Sequence, residues 1–211
     1  MNGAEIKSTL KSGGKVFGTM LSIGRNPRWV PVLDGVGLDY VIIDTEHSPR
    51  SRGELGDYLT MFNTSSVAPF VRIPIPDAHY VTMAMDAGAQ GILAPYCETV
   101  SQVKDVVAAA KWRPLKGEAV ERVINSGEHI SDATRAYLED RNKNSVCIIG
   151  IESVAAVNNL EDILGVPGID GIFVGPNDLS ISLGIPDQYD RQEYQTTVKR
   201  VIDTAGAHGT A

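Results

Sequence analysis

VGLDYVIID, residues 36–44, decides the fold. A glycine, a short polar step and a nearly continuous Val/Ile run is how one helix stops and a buried parallel strand begins. The phrase returns as AGAQGILAP at 87–95 and PGIDGIFVG at 167–175, and more weakly as AGAHGTA at 205–211. Around these echoes lie further apolar runs: VFGTML (16–21), PFVRIP (69–74), GILAPY (91–96), VCIIGIE (146–152) and GIFVGP (171–176). They are continuous rather than alternating, so each strand is expected to be covered on both faces.

Most gaps between the runs fit one helix and two loops. Helices are predicted over 51–62, 77–87, 101–111, 153–164 and 190–205, with Ser51, Asp77, Ser101 and Ser153 as starts and Gly165 as a stop. A repeated strand–helix unit implies an α/β fold, here a (β/α)8 TIM barrel. An open doubly wound sheet is the rival, but no GxGxxG or GxxxxGK[ST] motif follows any strand, so its nucleotide-binding versions lack support. Residues 1–211 are expected to form one domain that opens strand seven at Gly206–Ala211 and is truncated there, since such barrels typically take about 250 residues. The polar stretch at about 113–145 is an excursion with one helix over 131–140, expected to lie over a face of the barrel.

Lys and Arg total 19 against 26 Asp and Glu, a net charge of -7 without a basic stripe. That balance argues against a nucleic-acid or anionic-membrane partner. The absence of a long apolar run excludes a helical membrane span, and the first residues lack the apolar core of a signal peptide. Cys97 and Cys147 border apolar runs and form no metal pattern, which suits reduced, structural thiols in a cytoplasmic protein.

Barrel chemistry collects at the carboxyl ends of strands. Those ends carry Asp44-Thr45-Glu46-His47, Arg72, Pro95-Tyr96-Cys97, Glu152 and Gly175-Pro176-Asn177-Asp178. Glu152 and Asp178 are hard oxygen donors suited to Mg²⁺ or Mn²⁺, unless each merely caps a helix. A free imidazole titrates near neutrality, which makes His47 a candidate general base, with a solvated loop residue as the alternative. Arg72 lies inside an apolar run, so it faces a ligand or makes a salt bridge with Asp44 or Glu46. Asp86 closes a helix, where the dipole disfavours an acid.

Taken in order, YVIIDTEH, FVRIP, MDAGAQGILAP, GIES and GIDGIFVGPNDLSISLG resemble the HpcH/HpaI aldolase family, class II metal-dependent pyruvate aldolases of the phosphoenolpyruvate/pyruvate superfamily. The likeness runs from about residue 16 to the end, apart from 113–145. It implies a lyase that cleaves 4-hydroxy-2-keto acids to pyruvate and an aldehyde. It implies Glu152 and Asp178 as ligands of a divalent metal (Mg²⁺, Mn²⁺ or Co²⁺), His47 as base, and Arg72 as the group that binds the enolate oxygen. Asp86 matches the acid that pairs with the histidine, and Pro176 and Asn177 match the segment that receives the pyruvate carboxylate. No lysine is placed at a strand end for a Schiff base, which disfavours class I chemistry. The alternatives are an acyl-CoA lyase of citramalyl-CoA type and a catalytically inactive, binding-only relative. The resemblance also implies a homo-oligomer, commonly a hexamer. Two departures stand out: Gly150 replaces a common glutamine, and the polar excursion replaces a Gly/Arg-rich loop, with Arg122 or Lys116 as candidate substitutes for its anion contact.

Overall fold

The computed structural model describes residues 1–211. One parallel sheet contains β1 (Gly18–Leu21), β2 (Tyr40–Asp44), β3 (Ala68–Arg72), β4 (Gly91–Ala94), β5 (Val146–Gly150) and β6 (Gly171–Phe173), in the order of the chain. Each strand pairs with its sequence neighbour and all pairs are parallel. A doubly wound sheet reverses its order at a switch point. This sheet never reverses, so it is a curled half-barrel and the rival architecture is excluded.

The helices are α1 (Gly3–Lys11), α2 (Trp29–Val36), α3 (Arg52–Phe62), α4 (Ala78–Asp86), α5 (Val100–Lys111), α6 (Gly117–Ser126), α7 (Asp132–Arg141), α8 (Val154–Asn158), α9 (Leu160–Leu164), α10 (Pro176–Ser182) and α11 (Gln192–Ala207). The expected strand-seven opening at 206–211 is corrected. α11 continues through Gly206 and Ala207 because its buried face, Val201 and Ala205, still packs there. Gly209, at φ 69°, ends the turn. Ala211 alone reaches the sheet, where its carbonyl accepts from the Ile172 N–H at 2.8 Å.

Local chemistry explains most helix starts. Ser51 and Glu54 satisfy each other's backbone N–H groups in a capping box at α3. α5 starts with the same device from Thr99 and Gln102, not from Ser101 as expected. The helix expected over 153–164 is two short ones, broken at Asn159, whose side chain donates to the Glu98 carbonyl at 2.8 Å. The excursion holds α6 as well as the expected helix. α6 buries no residue fully, and α7 buries only Leu138.

Alternation along the strands divides the apolar side chains into two cores. Val41, Ile43, Val71, Ile92, Cys147 and Ile149 face the surrounding helices in a cluster of 35 buried residues. Ile42, Ala68, Phe70, Leu93 and Val146 face the interior, where Ile6 of α1 joins them. α1, which the strand pattern does not announce, therefore plugs the interior at the amino ends of the strands. Gly3 permits the approach: an added Cβ there would sit 1.9 Å from the Asn144 carbonyl oxygen. Both thiols are free and buried, and no helix is long and apolar enough to cross a membrane.

Candidate active site

The alternation that sends Ile42 and Phe70 inward also sends Asp44 and Arg72 inward, one layer higher. They are register partners on β2 and β3. Arg72 Nε donates to Asp44 Oδ1 at 2.9 Å, Nη2 lies 2.8 Å from Oδ2, and Nη1 lies 3.1 Å from Glu46 Oε2. Both partners named as its structural alternatives are thus present. Nε alone is hydrogen-bonded; Nη1 and Nη2 are at ion-pair distance from the two acids, and Asp44 Oδ2 accepts no hydrogen bond, so both Nη groups keep hydrogens for another acceptor.

Asp44 is fully buried and Arg72 is 8% exposed. Burial alone would raise the Asp44 carboxyl; the hydrogen bond and charge of Arg72, with the N–H groups of Glu46 and His47, outweigh it and hold the pKa below its ordinary value. Those N–H groups reach Asp44 Oδ1 at 3.0 and 3.4 Å and turn the chain just beyond β2. The turn carries the His47 side chain outward, 65% exposed, with Nε2 3.7 Å from Glu46 Oε2. The Glu46 carboxyl is raised by burial, against the pull of Arg72.

Glu152 follows β5 and is 4% exposed. Its Oε2 accepts the Tyr96 backbone N–H at 2.8 Å. Burial pushes its pKa up to about 7; the Tyr96 N–H opposes the shift, and the charges of Glu46 and Asp178 add to it. Asp178 stands in the first turn of α10, after Pro176. The Glu152 carboxylate lies against Gly175, where an added Cβ would be 2.7 Å from Oε1. Three acids, Glu46, Glu152 and Asp178, therefore share one field, with Arg72 as the cation that acts on Glu46 and Glu152.

The structure does not bring every expected residue here. Asp86 lies apart from His47 within this chain. It ends α4, which runs antiparallel to β3, so it lies toward the amino ends of the strands, whereas His47 lies beyond their carboxyl ends. Asp86 pairs instead with Arg113 Nη1 at 3.2 Å. Asn177 is engaged by its neighbour, its Nδ2 donating to Asp187 Oδ1 at 3.0 Å, while Pro176 is exposed. Arg122 is spent on Glu118 and Glu128, both at 2.8 Å, and offers no anion contact to the site.

Two contributors were missed as functional groups. Asp44 could have been found, because it shares the inward parity of Arg72 and the adjacent strand end. The Tyr96 N–H could not. It depends on a left-handed backbone, φ 33°, that nothing in PYC signals. That turn also accounts for Gly150: an added Cβ would sit 3.0 Å from the Ala94 oxygen and the Pro95 Cα, and 3.1 Å from the Tyr96 nitrogen. The end of β4 fills the space in which a longer side chain would start.

A curled parallel sheet with acids and a buried arginine gathered at the carboxyl ends of its strands is the layout of a β/α-barrel enzyme. Residues 19–211 match the model of the HpcH/HpaI aldolase/citrate lyase family. The chain belongs to that family and is a carbon–carbon lyase of aldolase type. It is 30% identical over 207 residues to a hydroxypyruvate/pyruvate aldolase of Roseobacter denitrificans, covering 96% of this chain and 80% of that one. It is 31% identical over 186 residues to a 5-keto-4-deoxy-D-glucarate aldolase of Escherichia coli, covering 87% and 71%. The crystal structure of an HpcH/HpaI aldolase from Desulfitobacterium hafniense superposes with a TM-score of 0.82 at 30% identity, covering 98% of this chain and 79% of that one.

Proposed function

We propose that the chain is a divalent-metal-dependent aldolase that cleaves 4-hydroxy-2-keto acids to pyruvate and an aldehyde. The observation that carries this reading is the grouping of a half-committed arginine with three mutually repelling acids. Glu152 and Asp178 fit a cation, Mg²⁺ or Mn²⁺: Glu152 Oε1 accepts no hydrogen bond, and burial first, then the charges of Glu46 and Asp178, raise the Glu152 pKa, so a positive charge there would stabilise its carboxylate. Such an ion would supply Lewis-acid polarisation of the keto acid.

The side chains of this chain do the rest. Hydrogens on Arg72 Nη1 and Nη2 that Asp44 and Glu46 do not take up would stabilise the charge that develops on the substrate's keto oxygen as its carbon–carbon bond breaks. Asp44 and Glu46 hold the guanidinium plane fixed, so little reorganisation accompanies that charge. His47, exposed at the mouth, takes the proton from the 4-hydroxyl group as the carbon–carbon bond breaks, and a proton taken up from solvent at the enolate carbon completes pyruvate. The backbone at Pro176–Asn177, rather than the Asn177 side chain that Asp187 holds, is the segment assigned to the substrate carboxylate beside Asp178. Asp86 takes no part within one chain.

The test is pyruvate release from a 4-hydroxy-2-keto acid with Mn²⁺, with and without EDTA. Turnover that EDTA abolishes and Mn²⁺ restores is expected, together with a loss of about a hundredfold or more in Glu152→Gln. Turnover that ignores EDTA would overturn the metal assignment, and none in a folded, metal-loaded sample would overturn the activity.

A further inference from the structure

At the other end of the sheet, α1, the end of α5, α7 and the loop after α9 surround a cleft of about 500 Å³. Its cations are Lys7, Lys11, Lys111 and Arg135; its acids are Glu139 and Asp170. A surplus of two positive charges thus sits on a chain whose net charge is -7. The cations are unequal. Lys111 is committed to Asp170 and the Ser145 carbonyl. Asp170 is also occupied by the Cys147 N–H, at 2.8 Å. Lys7, Lys11 and Arg135 make no ion pair and no hydrogen bond through their side chains. Lys7 is held there although burial and the Lys111 charge lower its pKa.

Surface cations on an acidic protein ordinarily find carboxylates. Three uncommitted ones around a concave space, on two helices distant in sequence, form a receptor for negative charge. We propose that this cleft binds a small polyanion of the phosphate class, remote from the carboxyl-end site. A phosphate monoester carries nearly two negative charges at neutral pH, which matches the surplus. The lysines supply point charges and Arg135 a planar fork for phosphate oxygens. Trp112, Pro167 and Gly168 wall the space, and the left-handed backbone of Gly168, φ 111°, brings its loop close to α5.

Trp112 makes the site observable, because the chain has two tryptophans and the other, Trp29, lies elsewhere. The probe is inorganic pyrophosphate, titrated into Trp29→Phe by fluorescence and into the unaltered chain by calorimetry. The protein and buffer are first freed of metal on a chelating resin, so that no soluble chelator competes with the anion. Saturable binding with a Kd below about 1 mM at low salt is expected. It should weaken about tenfold or more in Lys11→Gln/Arg135→Gln, and again with added salt. Arg135→Gln alone, an exposed change, serves if the double variant melts early. No saturable signal, or equal affinity in a folded variant, overturns the proposal. Citrate and oxalate form a second arm: tight citrate binding with no pyrophosphate binding would overturn the phosphate assignment.

Discussion

Arg72 and Asp44 bear most of the site's weight at the scale of single residues. Arg72→Ala would leave a buried carboxylate without its cation, so it should lower the urea-unfolding free energy by about 3–5 kcal/mol besides abolishing turnover. Asp44→Leu/Arg72→Met, which removes both charges, should recover much of that stability and none of the activity. Unchanged stability in Arg72→Ala would mean that the pair is solvated. The glycines give a second prediction. Gly175→Ala should depress activity by displacing Glu152, whereas Gly150→Gln, against the rigid backbone at the end of β4, should cost about 1–3 kcal/mol of stability. At this scale the sequence is an uneven guide. Inward parity along YVIID and APFVR announces Asp44 and Arg72 together. Asp86 is harder to place, because a residue's position at a helix end does not say which end of the sheet that helix has reached; within this chain it pairs with Arg113.

Elements were more legible than their boundaries. β2, β4 and β6 begin just after three of the glycine echoes, where Gly37, Gly88 and Gly168 take φ of 80°, 109° and 111°; the fourth echo opens no strand. The chain after each strand is harder to read, since the apolar run continues past the last ladder bond into the loop that builds the site. α1 escaped notice because it lies outside the strand–helix repeat and plugs the interior with one fully buried side chain, Ile6. Two predictions belong here. Ser51→Ala removes the side-chain half of the α3 capping box, the Oγ that accepts the Glu54 N–H, and should cost about 1 kcal/mol in urea melts with an unchanged slope. A loss below about 0.3 kcal/mol would show that packing alone fixes that end. Burial raises both thiols, Cys147 to about 12, so neither should react with a thiol-specific reagent at pH 8 until denaturant is added. Rapid labelling of the native protein would contradict their burial.

Across the whole molecule, the fold follows from one repeated instruction: every strand is laid beside the previous one, in the same direction, without reversal. That puts all carboxyl ends on one side, and the acids and Arg72, scattered from 44 to 178, meet there. The aldehyde half of the reaction involves groups beyond this meeting point, but stabilising the pyruvate enolate requires only the cation site and Arg72. Exchange of the pyruvate methyl protons for deuterium in heavy water, followed by proton NMR, therefore tests the central assignment without any aldehyde. Exchange that needs Mg²⁺ or Mn²⁺, stops with EDTA and is lost in Arg72→Lys is the expected result. Exchange no faster than in buffer, from folded and metal-loaded protein, would contradict it.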